Sequence, residues 1–188
     1  MRILVLDGLR QSDAYIEPIC GVAIDELRAK GWEADSIALR GIDVDHCRGC
    51  FKCWAKTPGI CIINDAMRDI ANRVVQSDVV LLVTPVTFGG YSSEPKKAMD
   101  RLIPLISPFF TTIGGEVHHK PRYEKYPALL GIGILGKSDK ESERTFKTLV
   151  GRNAINLHSP RWDAEVLISD QKQETVRERI RTLFAKVG

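Results

Sequence analysis

The sequence predicts a doubly wound α/β domain. Three observations lead there: short apolar runs of strand length ended by turn residues, amphipathic stretches of helical period between them, and a length of 188 residues that suits one core. Apolar strands without polar alternation are buried on both faces, as in a parallel sheet covered by helices on each side. Right-handed crossovers put those helices on either side as the strand order reverses, so loops at the carboxyl ends of the strands meet in one crevice.

Residues 2–7, Arg-Ile-Leu-Val-Leu-Asp stopped by Gly8, form the central strand. Ile16, Ile19, Cys20, Ala23 and Leu27 then recur at helical spacing until Lys30-Gly31 supplies a stop, and Pro18 fits only near the first turn. Residues 33–39 read as the second strand. Met67, Ile70, Ala71, Val74 and Val75 mark the next helix, and residues 78–84 carry the strongest β signal in the chain. Residues 85–91 are expected as loop, and Ser93-Glu94-Pro95 opens a helix whose apolar face continues through Ala98, Met99 and Leu102. Residues 104–126 break the rhythm and are expected as a long irregular insertion: a lid, an interface or a pocket wall. They hold Phe109, Phe110, His118, His119 and Tyr123. Residues 128–135 form the fourth strand, followed by a helix opened by Ser138 with Glu141 three residues on, a capping box. Residues 163–168 form the fifth strand, and Val176, Ile180, Leu183, Phe184 and Val187 give the last helix its buried stripe. The whole, residues 1–188, is expected to be one domain.

Composition narrows the function. With 44% hydrophobic and 27% charged residues the chain reads as globular rather than disordered. Lys and Arg number 27 against 24 Asp and Glu, so a net charge of +3, scattered along the chain, gives no argument for nucleic acid. No apolar run is as long as a membrane span, and the sequence begins a strand at once. A cytoplasmic enzyme with no membrane partner is expected. Four of the five cysteines fall between Cys47 and Cys61, which points to reduced thiols with a metal or redox task. Neither a Gly-x-Ser-x-Gly elbow nor a Walker sequence occurs, so hydrolysis and phosphoryl transfer have no footing.

Three segments follow strand ends and should share the crevice. At Gly8 the backbone can turn sharply, and amides at the following helix start can face an anion, with Arg10 and Ser12 adding charge and a hydroxyl; an ordinary turn is the alternative. Thr84-Pro-Val-Thr-Phe-Gly-Gly-Tyr91 places two glycines and two aromatics beside a proline, so that backbone can approach a flat ligand while Phe88 or Tyr91 stacks on it. Aromatics that merely cover the sheet end are the alternative there. The third segment holds Cys47, Cys50, Cys53 and Cys61, spaced C-x2-C-x2-C-x7-C. Three thiolates two residues apart can wrap one face of a cubane cluster while the fourth takes the last corner. Structural zinc more often takes two separated pairs, and free thiols packed beside a ligand are the third option. Trp54 shields a cluster or fills an interface, and Cys20 is read as core. Gly131-x-Gly133-x-x-Gly136 matches a dinucleotide fingerprint only literally. It lies within a strand, so its glycines are assigned to close packing or ligand approach. His118-His119 is given a surface or interface role.

Residues 1–8, Cys47-Arg-Gly-Cys50-Phe-Lys-Cys53-Trp54 with Cys61-Ile-Ile-Asn-Asp65, and residues 84–101 resemble, in order and spacing, the flavodoxin-like NAD(P)H-dependent FMN reductases. Within that group the chain is most similar to the branch of the iron-sulfur flavoproteins, over residues 1 to about 103. The resemblance implies a five-stranded flavodoxin-like sheet of order 2-1-3-4-5, FMN in the crevice, and electrons passing from NAD(P)H through the flavin to a small acceptor, a quinone or a flavin. FMN contacts are expected from Gly8, Arg10, Gln11 and Ser12 at the phosphate and from Pro85, Val86, Thr87, Phe88, Gly89, Gly90 and Tyr91 at the ring. The chemistry is flavin-centred, with Thr87 as a hydrogen-bond donor near the ring and no catalytic acid or base. A homodimer is implied, with the Trp54 region and residues 104–126 as contact surfaces. The alternative within the resemblance is an electron carrier with a 4Fe-4S cluster on the four cysteines. One departure matters: where the family's phosphate loop reads Gly-Ser-Pro-Arg and ends in Gly-Asn-Thr, this chain has Gly8-Leu9-Arg10-Gln11 and then Ala14-Tyr15-Ile16. The family's Ser, Arg and Thr are thus Leu9, Gln11 and Ile16. A non-catalytic binding protein that has lost FMN is the remaining alternative.

Overall fold

The computed structural model describes residues 1–9 and 17–188. The central sheet runs in the order β2 (Glu33–Ala38), β1 (Arg2–Asp7), β3 (Val79–Thr87), β7 (Ala128–Leu135), β8 (Trp162–Ile168), all parallel. The five long strands therefore take the expected order. The sheet differs from the expectation by a sixth strand, β4 (Gly90–Tyr91), paired antiparallel to the end of β3. Residues 85–91, expected as loop, are a continuation of β3 and a tight return. Phe88 and Gly89 at its tip have φ of 50° and 76°, and positive φ at both central residues is what a two-residue type I′ hairpin turn needs.

The segment 104–126 is likewise not irregular. It folds into an antiparallel hairpin of its own, β5 (Ile106–Ile113) and β6 (Glu116–Pro121), turned by Gly114 and Gly115 at positive φ. Trp54 Nε1 donates to the carbonyls of Ile103 and Ile106, and the Arg122 guanidinium donates to those of Pro104 and Ile106, fixing the hairpin's base.

Period-two alternation along β1, β3 and β7 divides the core. Ile3, Val5, Leu81, Val83, Leu130 and Ile132 face α1 (Glu17–Ala29) and α6 (Gln173–Phe184), while Leu4, Leu6, Val80, Leu82 and Leu129 face α3 (Met67–Gln76), α4 (Ser93–Asp100) and α5 (Lys140–Asn156). The cap of α5 is Asp139, one residue after the expected Ser138: its carboxylate accepts from the amides of Glu141 and Ser142. The glycines of β7 serve packing. A Cβ on Gly131 would stand 2.8 Å from Val150, and one on Gly133 2.9 Å from Phe146, so α5 lies closer to the sheet than any side chain there would allow.

Candidate functional site

Two sites take shape above the sheet. The first is the crevice where β1 and β3 end. Gly8 N–H donates to the Val83 carbonyl at 2.8 Å, and Ser92 Oγ donates to the Gly8 carbonyl at 3.1 Å. Ser92 Oγ also lies 3.1 Å from Thr84 Oγ1, all in buried surroundings. The turn leaving β1 and the hairpin leaving β3 are thus stitched together. A Cβ on Gly8 would fall 2.1 Å from Pro95 Cγ, so the glycine is required by the packing of α4 whether or not a ligand approaches.

At the end of β1, the buried Asp7 carboxylate accepts the Leu9 amide at 2.9 Å and pairs with Arg40 at 2.8 Å. Leu9 itself is core. Arg10, Gln11 and Ser12, expected at a phosphate, lie outside the described residues, as does Ile16.

The hairpin residues divide. Tyr91 is not available for stacking: its ring packs edge-on against Phe146, Asn153 Nδ2 donates to its hydroxyl at 3.0 Å, and burial pushes its pKa up to about 12. Val86 packs against the core and Gly89 lies under Thr145 of α5. Pro85 and Gly90 are half-buried, while Thr87 is exposed and Phe88 is wholly so at the tip. A bulky residue at positive φ is an uncommon, strained conformation. Among the described residues of these two turns, Phe88 is thus the aromatic left exposed.

The second site is the cysteine segment. Among the described residues no cysteine is in a disulfide. Cys20 is buried among Ile19, Ala23 and Leu27, as expected. Cys47, Cys50, Cys53 and Cys61 line one narrow pocket with Phe51, Ile62, Ile63, Ile103, Pro104 and Arg101, a cavity of about 20 Å³. Left-handed backbone at Gly49 and Phe51 turns the chain before the short helix α2 (Lys52–Ala55), which carries Cys53 inward. Burial, and then the proximity of Cys61 and Cys50, raise the Cys53 thiol above its ordinary value. Among the described residues no group of three or more His, Cys, Asp or Glu side chains is placed to hold a metal ion, so neither the zinc option nor the four-iron cluster on Cys47, Cys50, Cys53 and Cys61 has the support of a preformed metal group.

Sequence reasoning missed the residues that shape this pocket. Arg101 is buried, with its guanidinium forked on Asp65 at 2.8 and 2.9 Å and donating to the Asp45 carbonyl at 2.7 Å. Burial works to raise the Asp65 carboxyl, but Arg101 and the amides of Asp45 and Met67 bring it below the usual carboxylate value. Arg68 grips the chain around Cys61 through the carbonyls of Cys61, Ile62 and Ile63 and the Asn64 side chain. One signal was present: Arg101, the residue that caps the C-terminus of α4, stands three residues after Ala98 and so extends that helix's apolar face. His118 joins β6 to α5 by a 2.9 Å contact with Asn156, and His119 packs between Trp54 and Phe110.

The comparisons with known proteins bear on the family and the fold. The family described as NADPH-dependent FMN reductase matches residues 1–146. An iron-sulfur flavoprotein of Methanosarcina thermophila is 27% identical over 105 residues, 56% of this chain and 54% of its own length. One of Methanocaldococcus jannaschii is 30% identical over 105 residues, 56% of this chain and 53% of its own. The aligned region spans about half the length of these curated relatives. Among solved structures, an NAD(P)H:quinone oxidoreductase from Methanothermobacter marburgensis superposes with a TM-score of 0.73 at 10% identity, over 97% of this chain and 93% of that one. An NADH:FMN oxidoreductase in its apo form gives 0.67 at 11%, over 99% and 87%. At such identities these structures speak to the flavodoxin-like fold alone.

Proposed function

Because the chain belongs to the NADPH-dependent FMN reductase family, we propose that it is a flavin oxidoreductase that accepts electrons from NAD(P)H on FMN and passes them to a small planar acceptor, a quinone or a second flavin. The observation that carries this reading is the stitching of Gly8 to Val83 and Ser92, which brings the turns leaving β1 and β3 to one place. FMN, when bound, supplies the hydride-accepting ring; the protein supplies position and environment. Thr87 and Phe88 stand at the open side of the hairpin, where a ring edge and a flat substrate would meet them. Arg40 neutralises Asp7, so the carboxylate at the end of β1 does not repel a phosphate. The same reading makes the chain a homodimer, built on the exposed apolar residues Phe51, Phe109, Phe110 and Val117 around Trp54 and the hairpin; sedimentation as a monomer at working concentration overturns that part.

The test is binding followed by reduction. FMN at a hundredfold excess over its Kd should stabilise the fold by about 2.7 kcal/mol, read as a rise in Tm. Anaerobic NADH or NADPH should then bleach the flavin absorbance. If saturating FMN leaves both Tm and flavin fluorescence unchanged, the non-catalytic reading replaces this one.

One observation favours a second reading, an iron-sulfur flavoprotein. Four thiols line a single pocket free of carboxylate and imidazole, a donor set suited to a four-iron cluster. A single ion requires its donors to converge on one point, whereas a cluster takes one thiolate per iron and spreads them over a larger body. Iron and acid-labile sulfide in anaerobically purified protein support this reading, and their absence after reconstitution ends it.

A further inference from the structure

We propose that Arg101 is the positioning residue of the four-cysteine pocket, clasping the two ends of the cysteine segment together and keeping its Nε–H for a sulfur atom held there. The inference rests on the iron-sulfur reading and deepens it.

The clasp is built from both ends of the segment. Asp45 lies two residues before Cys47, and Asp65 four residues after Cys61. Arg101 Nη1 donates to the Asp45 carbonyl and to Asp65 Oδ2, Nη2 donates to Asp65 Oδ1, and the Asp45 amide donates to the same Asp65 Oδ2 at 3.0 Å. One guanidinium from α4's end thereby closes the loop that carries all four thiols. Arg68 holds only the Cys61 end, so the two ends are joined by Arg101 together with the direct bond from the Asp45 amide to Asp65.

The unused donor is the second observation. Arg101 is 1% exposed and lines the cysteine pocket, yet its Nε, unlike both terminal nitrogens, has no partner. A buried charged donor left unsatisfied is costly, and such a group calls for an explanation. Cys61 is the thiol beside the guanidinium. Burial works to lower the Arg101 pKa, but Asp65 and Cys61, each by its charge and a side-chain hydrogen bond, raise it, so the sulfur that Nε faces is already that of Cys61. A thiolate or sulfide in the pocket would accept this proton donor. Asp65 cancels the cation's formal charge but leaves the N–H dipole directed to other acceptors. Hydrogen bonds to cluster sulfurs favour the reduced, more negative state, so such a donor raises the reduction potential.

The experiment compares wild type, Arg101→Lys, Arg101→Gln and Asp65→Asn after anaerobic reconstitution with ferrous iron and sulfide. It reads iron content, the spectrum of the reduced protein, midpoint potential and retention of iron against a chelator. Far-UV dichroism and Tm of the unloaded proteins establish folding. Both Arg101 variants should show a more negative potential and retention weakened about 10-fold or more. Asp65→Asn, which keeps Arg101 but loosens its orientation, should shift both in the same direction by less, and it decides the matter if the arginine variants do not fold. Wild-type potential and retention in the folded variants overturn the proposal while leaving the cluster reading intact. A wild type that takes up no iron overturns the cluster reading itself and this inference with it.

Discussion

A carboxylate enclosed by two guanidiniums fastens the first helix to the last. Glu26 of α1 is buried, and it accepts from Arg177 at 2.7 Å and from Arg181 at 2.6 and 3.1 Å. The hydrogen bonds from Arg181 and then Arg177 outweigh burial and hold its pKa below the ordinary 4.5. The folded state therefore binds a proton at Glu26 less readily than the unfolded chain does. The associated stability is complete above the unfolded value and is lost as pH falls through the folded one. Glu26→Gln should destabilise the protein by about 1 to 2 kcal/mol at neutral pH, the arginines being partly solvated. It should also flatten the decline of Tm with pH below about 4.5. Equal slopes for variant and wild type in acid titrations of Tm would show that the clamp contributes nothing.

At the scale of elements, the contact of α5 with β7 is set by missing side chains. Gly131→Ala places a methyl against Val150 and should cost about 1 to 3 kcal/mol. Val150→Ala opens space at the same point, so the double variant should lose less stability than the two single losses combined, and urea denaturation measures the coupling. Strict additivity would mean that the helix shifts instead. This contact also shows what the sequence disclosed and what it did not. Buried parallel strands announce themselves as apolar runs, so β1, β3 and β7 were legible; β8 was legible by the alternation of Asp163 and Glu165 with Ala164 and Val166, and so were the helices with regular stripes. The extension of β3 was not, because Pro85 lacks an amide donor and reads as a break, yet it stands beside Ile134 and is followed by a return strand of only two residues. The hairpin β5–β6 was hidden for another reason: its residues alternate around aromatics left exposed, such as Phe110, and its anchors come from Trp54, Asn156 and His158 far along the chain. The four thiols were legible by spacing. Arg101 was not, since its partners Asp45 and Asp65 lie 56 and 36 residues away.

The molecule as a whole therefore has two kinds of structure with unequal support. The central sheet buries both faces under helices, and β1, β3 and β7 are almost wholly enclosed. The β5–β6 hairpin is a separate two-stranded sheet, and an isolated pair of strands is marginally stable in water. It stays in place through side chains at its base and through contacts of His118 and His119 with α5 and its C-terminal turn. Hydrogen exchange should separate the two. Amides of β1, β3 and β7 should open only with global unfolding, whereas those of β5 and β6 should exchange faster by a lower-energy local opening. Trp54→Phe, which removes the donor shared by Ile103 and Ile106, should accelerate exchange in the hairpin while leaving β3 and β7 unchanged. If the hairpin amides instead follow the sheet in both proteins, the segment belongs to the global cooperative unit. Trp54 also follows Cys53 directly and packs on Phe51 at 5.2 Å, so a hairpin that opens on its own would loosen one wall of the cysteine site without disturbing the crevice at Gly8.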